Sequence, residues 1–317
     1  MVLPCPPRHN ATPMLKSLLR MLVMVVVGAP LVHGLFFALA VHLQGQTSPL
    51  PTRPTTSTRT WDAYLTHLDA VWHDDALFPG SNETLRSVLN ERWMRSVGLY
   101  LLAATLATVA GSWLARRLVT QQRQLPWWLS GADALQSLFV ASMAVAALYF
   151  ILVSTPWQPP LPLHGFGWDK HLVVPLFALC LRPFLIITQR ITTLLEQAWH
   201  APHVVVAQAR GLSRGDIIAN HLLPAQHVAI GIVIAGQLRQ LIADLIIVEM
   251  IFQWGGIGET LVRAIVAPAF TTQQRVAVYL DAGVIAAIAS GLFVWFLLIE
   301  LIRRLWQPRH VYQGGTP

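Results

Sequence analysis

Val204–Ile230 reads VVVAQARGLSRGDIIANHLLPAQHVAI, a polar passage with a central glycine and a closing proline set between two long hydrophobic runs. Ala207 and Ala209 before Gly211, and Ile217 and Ile218 after it, are spaced as in two short helices. Loops between membrane helices are short and irregular by default, so a structured element here reads as a docking surface.

The hydrophobic runs on either side decide the class. Of 317 residues, 54% are hydrophobic and only 12% charged, with a mean hydropathy of +0.52. A soluble domain carries about twice that charge. Crossing about 30 Å of hydrocarbon takes about 20 helical residues, because backbone groups left unpaired in lipid cost several kcal/mol each. Six spans meet this length: about Leu18 to Leu43, Val97 to Ala115, Ala134 to Ser154, Leu172 to Gln189, Val228 to Phe252 and Val276 to Ile299. The expected fold is an all-α polytopic membrane protein. The first run is longer than the apolar core of a cleaved signal, about 7–15 residues, and is expected to stay as an anchor.

Lys and Arg collect in four groups: Arg8, Lys16 and Arg20; Arg116, Arg117 and Arg123; Arg190, Arg210 and Arg214; Arg303, Arg304 and Arg309. Six crossings put all four on one side, which the positive-inside rule makes cytoplasmic. Both termini and the Val204–Ile230 passage are then cytoplasmic. The net charge of +7 is largely absorbed by this bias, which leaves little for nucleic acid. Cys5 and Cys180, one in a tail and one in a span, do not suggest a disulfide.

Four regions follow: residues 1–43, tail and first span; 44–95, an external segment; 96–305, a five-helix core with the loop at about 196–226; and 306–317, a tail. The external segment opens with a Pro/Thr-rich linker, SPLPTRPTTSTRT. Trp61, Tyr64, Leu65, Leu68, Val71 and Trp72 then recur at helical spacing opposite Asp62, His67 and Asp69. That pattern predicts a helix lying across the outer ends of the spans.

Intramembrane charges are expensive and must face protein or a wet cavity. Arg182 falls between Pro175 and Pro183 in the fourth span, and Arg239, Asp244 and Glu249, with Gln237, fall in the fifth. At 100° per residue, Asp244 lies about 140° from Arg239 and Glu249 about 140° further on. Three charges aimed three ways require a broken span or one enclosed by protein on most sides. A buried pair of Glu249 with Arg182 and a role in solute passage are both open readings.

Familiar catalytic signatures are missing. There is no GxxxxGK[ST] phosphate loop; the nearest glycine cluster, Gly255, Gly256 and Gly258 with Glu259 and Thr260, lacks the lysine. HExxH does not occur, and the one GxSxG match, Gly211–Gly215, lies between two short helical spacings rather than on the strand-to-helix elbow a nucleophilic serine needs. His200 and His203 flank Pro202 without a supporting carboxylate or thiol cluster. The chain is read as non-enzymatic, with no cofactor and no metal.

From His171 to about Arg275 the sequence resembles the permease subunits of ABC importers, in the dipeptide/oligopeptide/nickel group of binding-protein-dependent systems. The loop core Ala207, Gln208, Ala209, Arg210, Gly211, Leu212, followed by His221, Leu222, Leu223 and Pro224, is similar to the family's EAA loop. The later VEMIFQWGGIGETLVRAI, with Phe252, Trp254, Gly256 and Gly258, resembles the exit of that group's fifth span. The resemblance implies a type I permease fold in a prokaryotic inner membrane. It also implies a second, homologous permease, two cytoplasmic ATPase subunits that supply the energy, and an extracytoplasmic substrate-binding protein. In that family the loop forms a coupling helix seated in a cleft of the ATPase, and Gly211 and Pro224 fit its turn and the start of the next span. Peptides are the implied cargo; nickel or another small solute is the alternative within the group, and an ion-coupled carrier using Asp244, Glu249 and Asp281 is the alternative outside it. Departures exist. Val205 and Val206 stand near the loop's usual glutamate, Pro202 and His203 replace Asp-Tyr, and Asp244, Gly255 and Ala269 replace glycine, proline and aspartate.

Overall fold

The computed structural model describes residues 12–47, 57–73, 83–122, 165–265 and 282–306, and the described residues contain helices and turns with no extended strand. In chain order these are α1 (Thr12–Thr47), α2 (Ser57–Trp72), α3 (Leu85–Thr120), α4 (Lys170–Ala198), α5 (Pro202–Ala209), α6 (Arg214–Ile217), a π-helical turn (Ile218–Leu222), α7 (Leu223–Phe252), α8 (Ile257–Ile265) and α9 (Ala282–Trp306). Five stretches are long and apolar enough to cross a membrane: Leu19–His42, Leu85–Thr120, Lys170–Ala198, Arg214–Phe252 and Ala282–Arg304. They correspond to the first, second, fourth, fifth and sixth expected spans. The third, at 134–154, lies outside the described residues, as does the start of the sixth.

The core is built on α3 and α4, the most intimately packed pair among the described helices. Along α3, Ala103, Ala107, Gly111 and Ala115 recur every fourth residue and all are buried. Small side chains at this spacing let two backbones approach, which is how helices pack where lipid removes the hydrophobic drive. The approach is close at Gly111, where an added Cβ would stand 3.1 Å from Ile187 Cγ2 and 3.2 Å from the Phe184 carbonyl oxygen. Thr188 Oγ1 donates to the Gly111 carbonyl at 3.3 Å. Pro175 and Pro183 sit inside α4 without ending it, and both are buried.

Two apolar clusters lie along this pair. One joins Leu99, Tyr100 and Ala103 of α3, Leu179 of α4, Leu241 and Leu245 of α7, and Trp254. The other joins Ala115 and Val119 of α3 and Ile187, Ile191 and Leu195 of α4 to Val204, Ala207, Ile217, Ile218 and Leu222. The second cluster therefore brings the C-terminal ends of α3 and α4 and the start of α7 to the same end of the bundle. Arg116 and Arg117 near the end of α3, Arg190 of α4, and Arg210 and Arg214 of the connecting passage therefore gather there.

Helix α1 leans on α9 through Phe37 and Ala40 against Ala282, Ile285 and Ala286. Helix α2 packs on the same end of α1, as the pattern of its sequence predicts, but with a different face inward. His67, read from sequence as part of the polar face, stacks on His33 and Phe37, while Tyr64 packs on Phe37 and Val71 joins a cluster of α3 and α9 residues. Trp61, Leu65, Leu68 and Trp72, read as the packed face, remain exposed. The sequence pattern merged two adjacent stripes, because an imidazole that stacks on aromatic rings counts as polar in a hydropathy reading.

Candidate functional site

The Val204–Ile230 passage forms an elbow. Pro202 opens α5, where its missing N–H costs nothing, and α5 ends at Ala209. Gly211 adopts φ +77°, with open space where a Cβ would sit. Here the backbone alone demands glycine, since the left-handed region penalises any Cβ. Two bonds close the turn: Gly211 N–H to the Gln208 carbonyl at 2.9 Å and Leu212 N–H to the Ala207 carbonyl at 3.3 Å. Ser213 then caps α6, accepting from the Asp216 N–H at 3.2 Å. From Arg214 onward the chain stays helical into α7. Pro224 lies in the first turn of α7, directly after the π-helical turn at Ile218–Leu222. The proline therefore marks where the ladder shifts register, rather than where a fresh helix begins after a loop.

The elbow has two sides. Val204, Ala207, Ile217, Ile218 and Leu222 are buried against α3 and α4. Val205, Val206, Gln208, Ala209, Arg210, Gly211, Leu212 and His221 are exposed, Leu223 is half-buried and Pro224 is exposed. A clamp that sequence reading missed holds the elbow in place. The Arg214 guanidinium lies 4.0 Å from the centre of the Trp199 ring, and its Nε donates to the Val119 carbonyl at the end of α3 at 2.8 Å. Arg214 had been legible only as one of several topogenic charges.

Within the bundle, α7 is unbroken, and its three charges turn to three different helices, as their 140° offsets require. Arg239 reaches Glu300 of α9 at 3.8 Å, and Glu300 also accepts from Arg303 and Arg304. Asp244 is gripped by Arg182 of α4, whose Nη1 stands 3.1 and 3.0 Å from the two carboxylate oxygens, with Gln240 Nε2 at 3.4 Å. Glu249 turns to α3. The pairing of Glu249 with Arg182 is thus corrected: Asp244, five residues earlier and on a different face, takes the arginine. Gln237 is half-buried on α7.

Glu249 instead anchors the turn after α7. Its Oε1 accepts from Ser96 Oγ at 2.5 Å and its Oε2 from the Gly258 N–H at 2.7 Å. Ser96 Oγ in turn accepts from the Ile257 N–H at 2.8 Å. Gln253 closes α7 in the left-handed conformation at φ +51°. Gly258 must lack a side chain, because a Cβ there would stand 2.6 Å from Ile246 Cα. Phe252 and Trp254 are buried, with Phe166 and Trp168 edge-on to the Trp254 ring. Gly256 offers its carbonyl to Thr260 Oγ1 at 2.6 Å, while Arg92 Nη1 donates to that hydroxyl oxygen at 2.6 Å. Glu259 is 6% exposed. It accepts from the Gly255 N–H at 2.6 Å and pairs with Arg263 at 2.5 Å. Sequence reading missed Ser96, whose only signal was a small hydroxyl at the polar start of an apolar run.

Among the described residues no group of three or more His, Cys, Asp or Glu side chains is placed to hold a metal ion.

Comparison with known proteins adds the following. The model of a family described as the binding-protein-dependent transport system inner membrane component matches residues 107–311, more than half of the chain. The chain is 20% identical over 251 residues to the dipeptide transport system permease protein DppB of Lactococcus lactis, covering 78% of this chain and 80% of that protein. It is 27% identical over 140 residues to DppB of Haemophilus influenzae, covering 44% and 40%. Over 176 residues it is 29% identical to the probable peptide ABC transporter permease protein y4tP of Sinorhizobium fredii, with 52% of each covered.

Proposed function

Because the chain belongs to the family of binding-protein-dependent transport system inner membrane components, and so is a multi-pass ABC importer permease, we propose that its cargo is peptides and that the elbow is its ATPase contact. Similarity to permeases named for dipeptides and peptides supports the cargo. The elbow supports the contact. It buries one side on α3 and α4 and leaves Val205, Val206, Arg210 and Leu212 exposed on the other, so a partner pushing on the exposed side moves both helices.

In this reading the basic end of the bundle is cytoplasmic, two ATPase subunits bind there, and a second permease completes the pathway. An extracytoplasmic binding protein delivers peptide at the Gln253–Thr260 end. Residues 44–95 are external and 96–305 form the core. Arg182, Gln237, Arg239, Asp244 and Glu249 organise α7 beside the pathway. The single observation that carries the reading is the Gly211 turn, closed, exposed and sterically open, between two packed helical pieces.

Gly211→Asp tests it. The variant is expected to insert and fold while losing co-purification with its ATPase and ATP-dependent peptide uptake in proteoliposomes. Normal uptake by a folded Gly211→Asp protein, or uptake that persists without ATP, would overturn the assignment.

A further inference from the structure

Helix α2 carries an apolar stripe that no neighbour among the described residues covers. Trp61, Leu65, Leu68 and Trp72 are 60%, 47%, 38% and 85% exposed, and at 100° per residue they fall within about 60° of arc. The packed residues Tyr64, His67 and Val71 lie on the adjacent arc, and Asp62, Thr66 and Asp69 on a third, exposed one. Isolated exposed apolar residues are ordinary; a continuous row of four with tryptophan at both ends is not.

The position of α2 says what the row meets. Tyr64 and His67 contact α1 at His33 and Phe37: the Tyr64 hydroxyl is hydrogen bonded to His33 Nδ1 at 3.3 Å, and both rings pack on Phe37. Those α1 residues belong to the apolar stretch Leu19–His42, about 7 and 14 Å along the axis from its end at 1.5 Å per residue. The stripe continues directly onto exposed α1 residues: a groove of about 980 Å³ is lined by Leu31, Leu35 and Ala38 from α1 and by Trp61, Tyr64 and Leu68 from α2. Leu31 and Leu35 are 67% and 66% exposed on a stretch long and apolar enough to cross a membrane, where the surrounding solvent would be acyl chains.

We propose that α2 is an interfacial helix lying in the outer leaflet, its Trp61–Trp72 stripe and the α1–α2 groove occupied by phospholipid acyl chains. An in-plane amphipathic helix buries its apolar face about 5–10 Å below the headgroups, the depth that contact with Phe37 sets. Tryptophan at each end suits the headgroup boundary. Asp62, Thr66 and Asp69, about 100° round from the stripe, keep their polar groups at the wet edge. The leaflet assignment rests on the orientation proposed above; the lipid contact does not.

Collision accessibility of nitroxide labels tests the contact. Single cysteines at positions 62, 65, 66, 68 and 69, in the full chain with Cys5→Ala and Cys180→Ala, are labelled and reconstituted in phosphatidylethanolamine/phosphatidylglycerol vesicles. Collisions with oxygen are expected to exceed those with a water-soluble nickel chelate several-fold at 65 and 68, with the ratio inverted at 62, 66 and 69. Nickel-dominated collisions at 65 and 68 would mean a stripe facing water. Low collision with both reagents would mean cover by protein. Either overturns the proposal. If the cysteine-free chain does not fold, benzoylphenylalanine at Leu65 or Leu68 in the native sequence reads the same contact in cell membranes: a phospholipid adduct supports it, and a protein adduct or none overturns it. Reduction of the labels by impermeant ascorbate reports the leaflet separately.

Discussion

At the basic end of α7, Ile217, Ile218 and Leu222 enter an apolar cluster with Val204 and Ala207, with a polar tie from Arg214 to Trp199 and Val119. At the other end Glu249, Ser96, Gly258 and Ile257 form a closed set of buried hydrogen bonds, with Glu259 and Thr260 each bonded to the turn backbone. Apolar packing is non-directional and lets elements shift while staying in contact. Buried hydrogen bonds have narrow geometry and are costly to leave half made. The contrast teaches that α7 is fixed in register at its Gln253 end and left adjustable at its elbow, the arrangement a lever needs.

The largest expected effect comes from Glu249→Ala, which leaves Ser96 Oγ and the Gly258 N–H without their acceptor. The cost is about 1–3 kcal/mol for each buried group orphaned, read as a fall in thermal stability and monodisperse yield in detergent. Glu259→Ala is expected to lose about 1–3 kcal/mol for its single backbone donor. If Glu249→Ala proves no worse than Val205→Ala on the elbow's exposed side, the contrast between the two ends breaks.

Next come two glycines that should respond to alanine for different reasons. Gly258→Ala forces a Cβ to 2.6 Å from Ile246 Cα, an overpacking cost of about 1–3 kcal/mol that should lower the melting temperature of the whole protein. Gly211→Ala meets no atom but must hold φ +77°, a local strain of about 1–2 kcal/mol. Proteolysis at the elbow should rise in Gly211→Ala while the melting temperature of the bundle stays near the parent value. Equal melting shifts in both variants would mean that the elbow is part of the rigid core.

Arg214→Ala removes a stacking worth about 0.5–1 kcal/mol at a partly exposed site and one hydrogen bond worth about 0.5–1.5 kcal/mol. ATPase co-purification should persist while ATP-dependent uptake falls, since the elbow would slip on α3. Arg214→Lys keeps the charge but loses the flat stacking face, so it should rescue only in part. Full uptake by Arg214→Ala would show that packing alone transmits the motion.

Much of this was legible in the sequence because it depends on composition and spacing. The apolar runs that became α1, α3, α4, α7 and α9 follow from the length a bilayer demands, and the elbow from Gly211 flanked by two helical spacings. The 140° offsets of Arg239, Asp244 and Glu249 required three directions, which α7 keeps by staying unbroken. What the offsets could not supply was the partner in each direction, and that depends on which helices surround α7. Only the packed bundle gave Asp244 to Arg182 and Glu249 to Ser96, buried Glu259, and turned His67 rather than Trp61 onto α1. Periodicity reports the angle at which a side chain leaves its own helix; the neighbour standing at that angle is a property of distant chain segments, brought there by the close approach of α3 and α4 at Gly111.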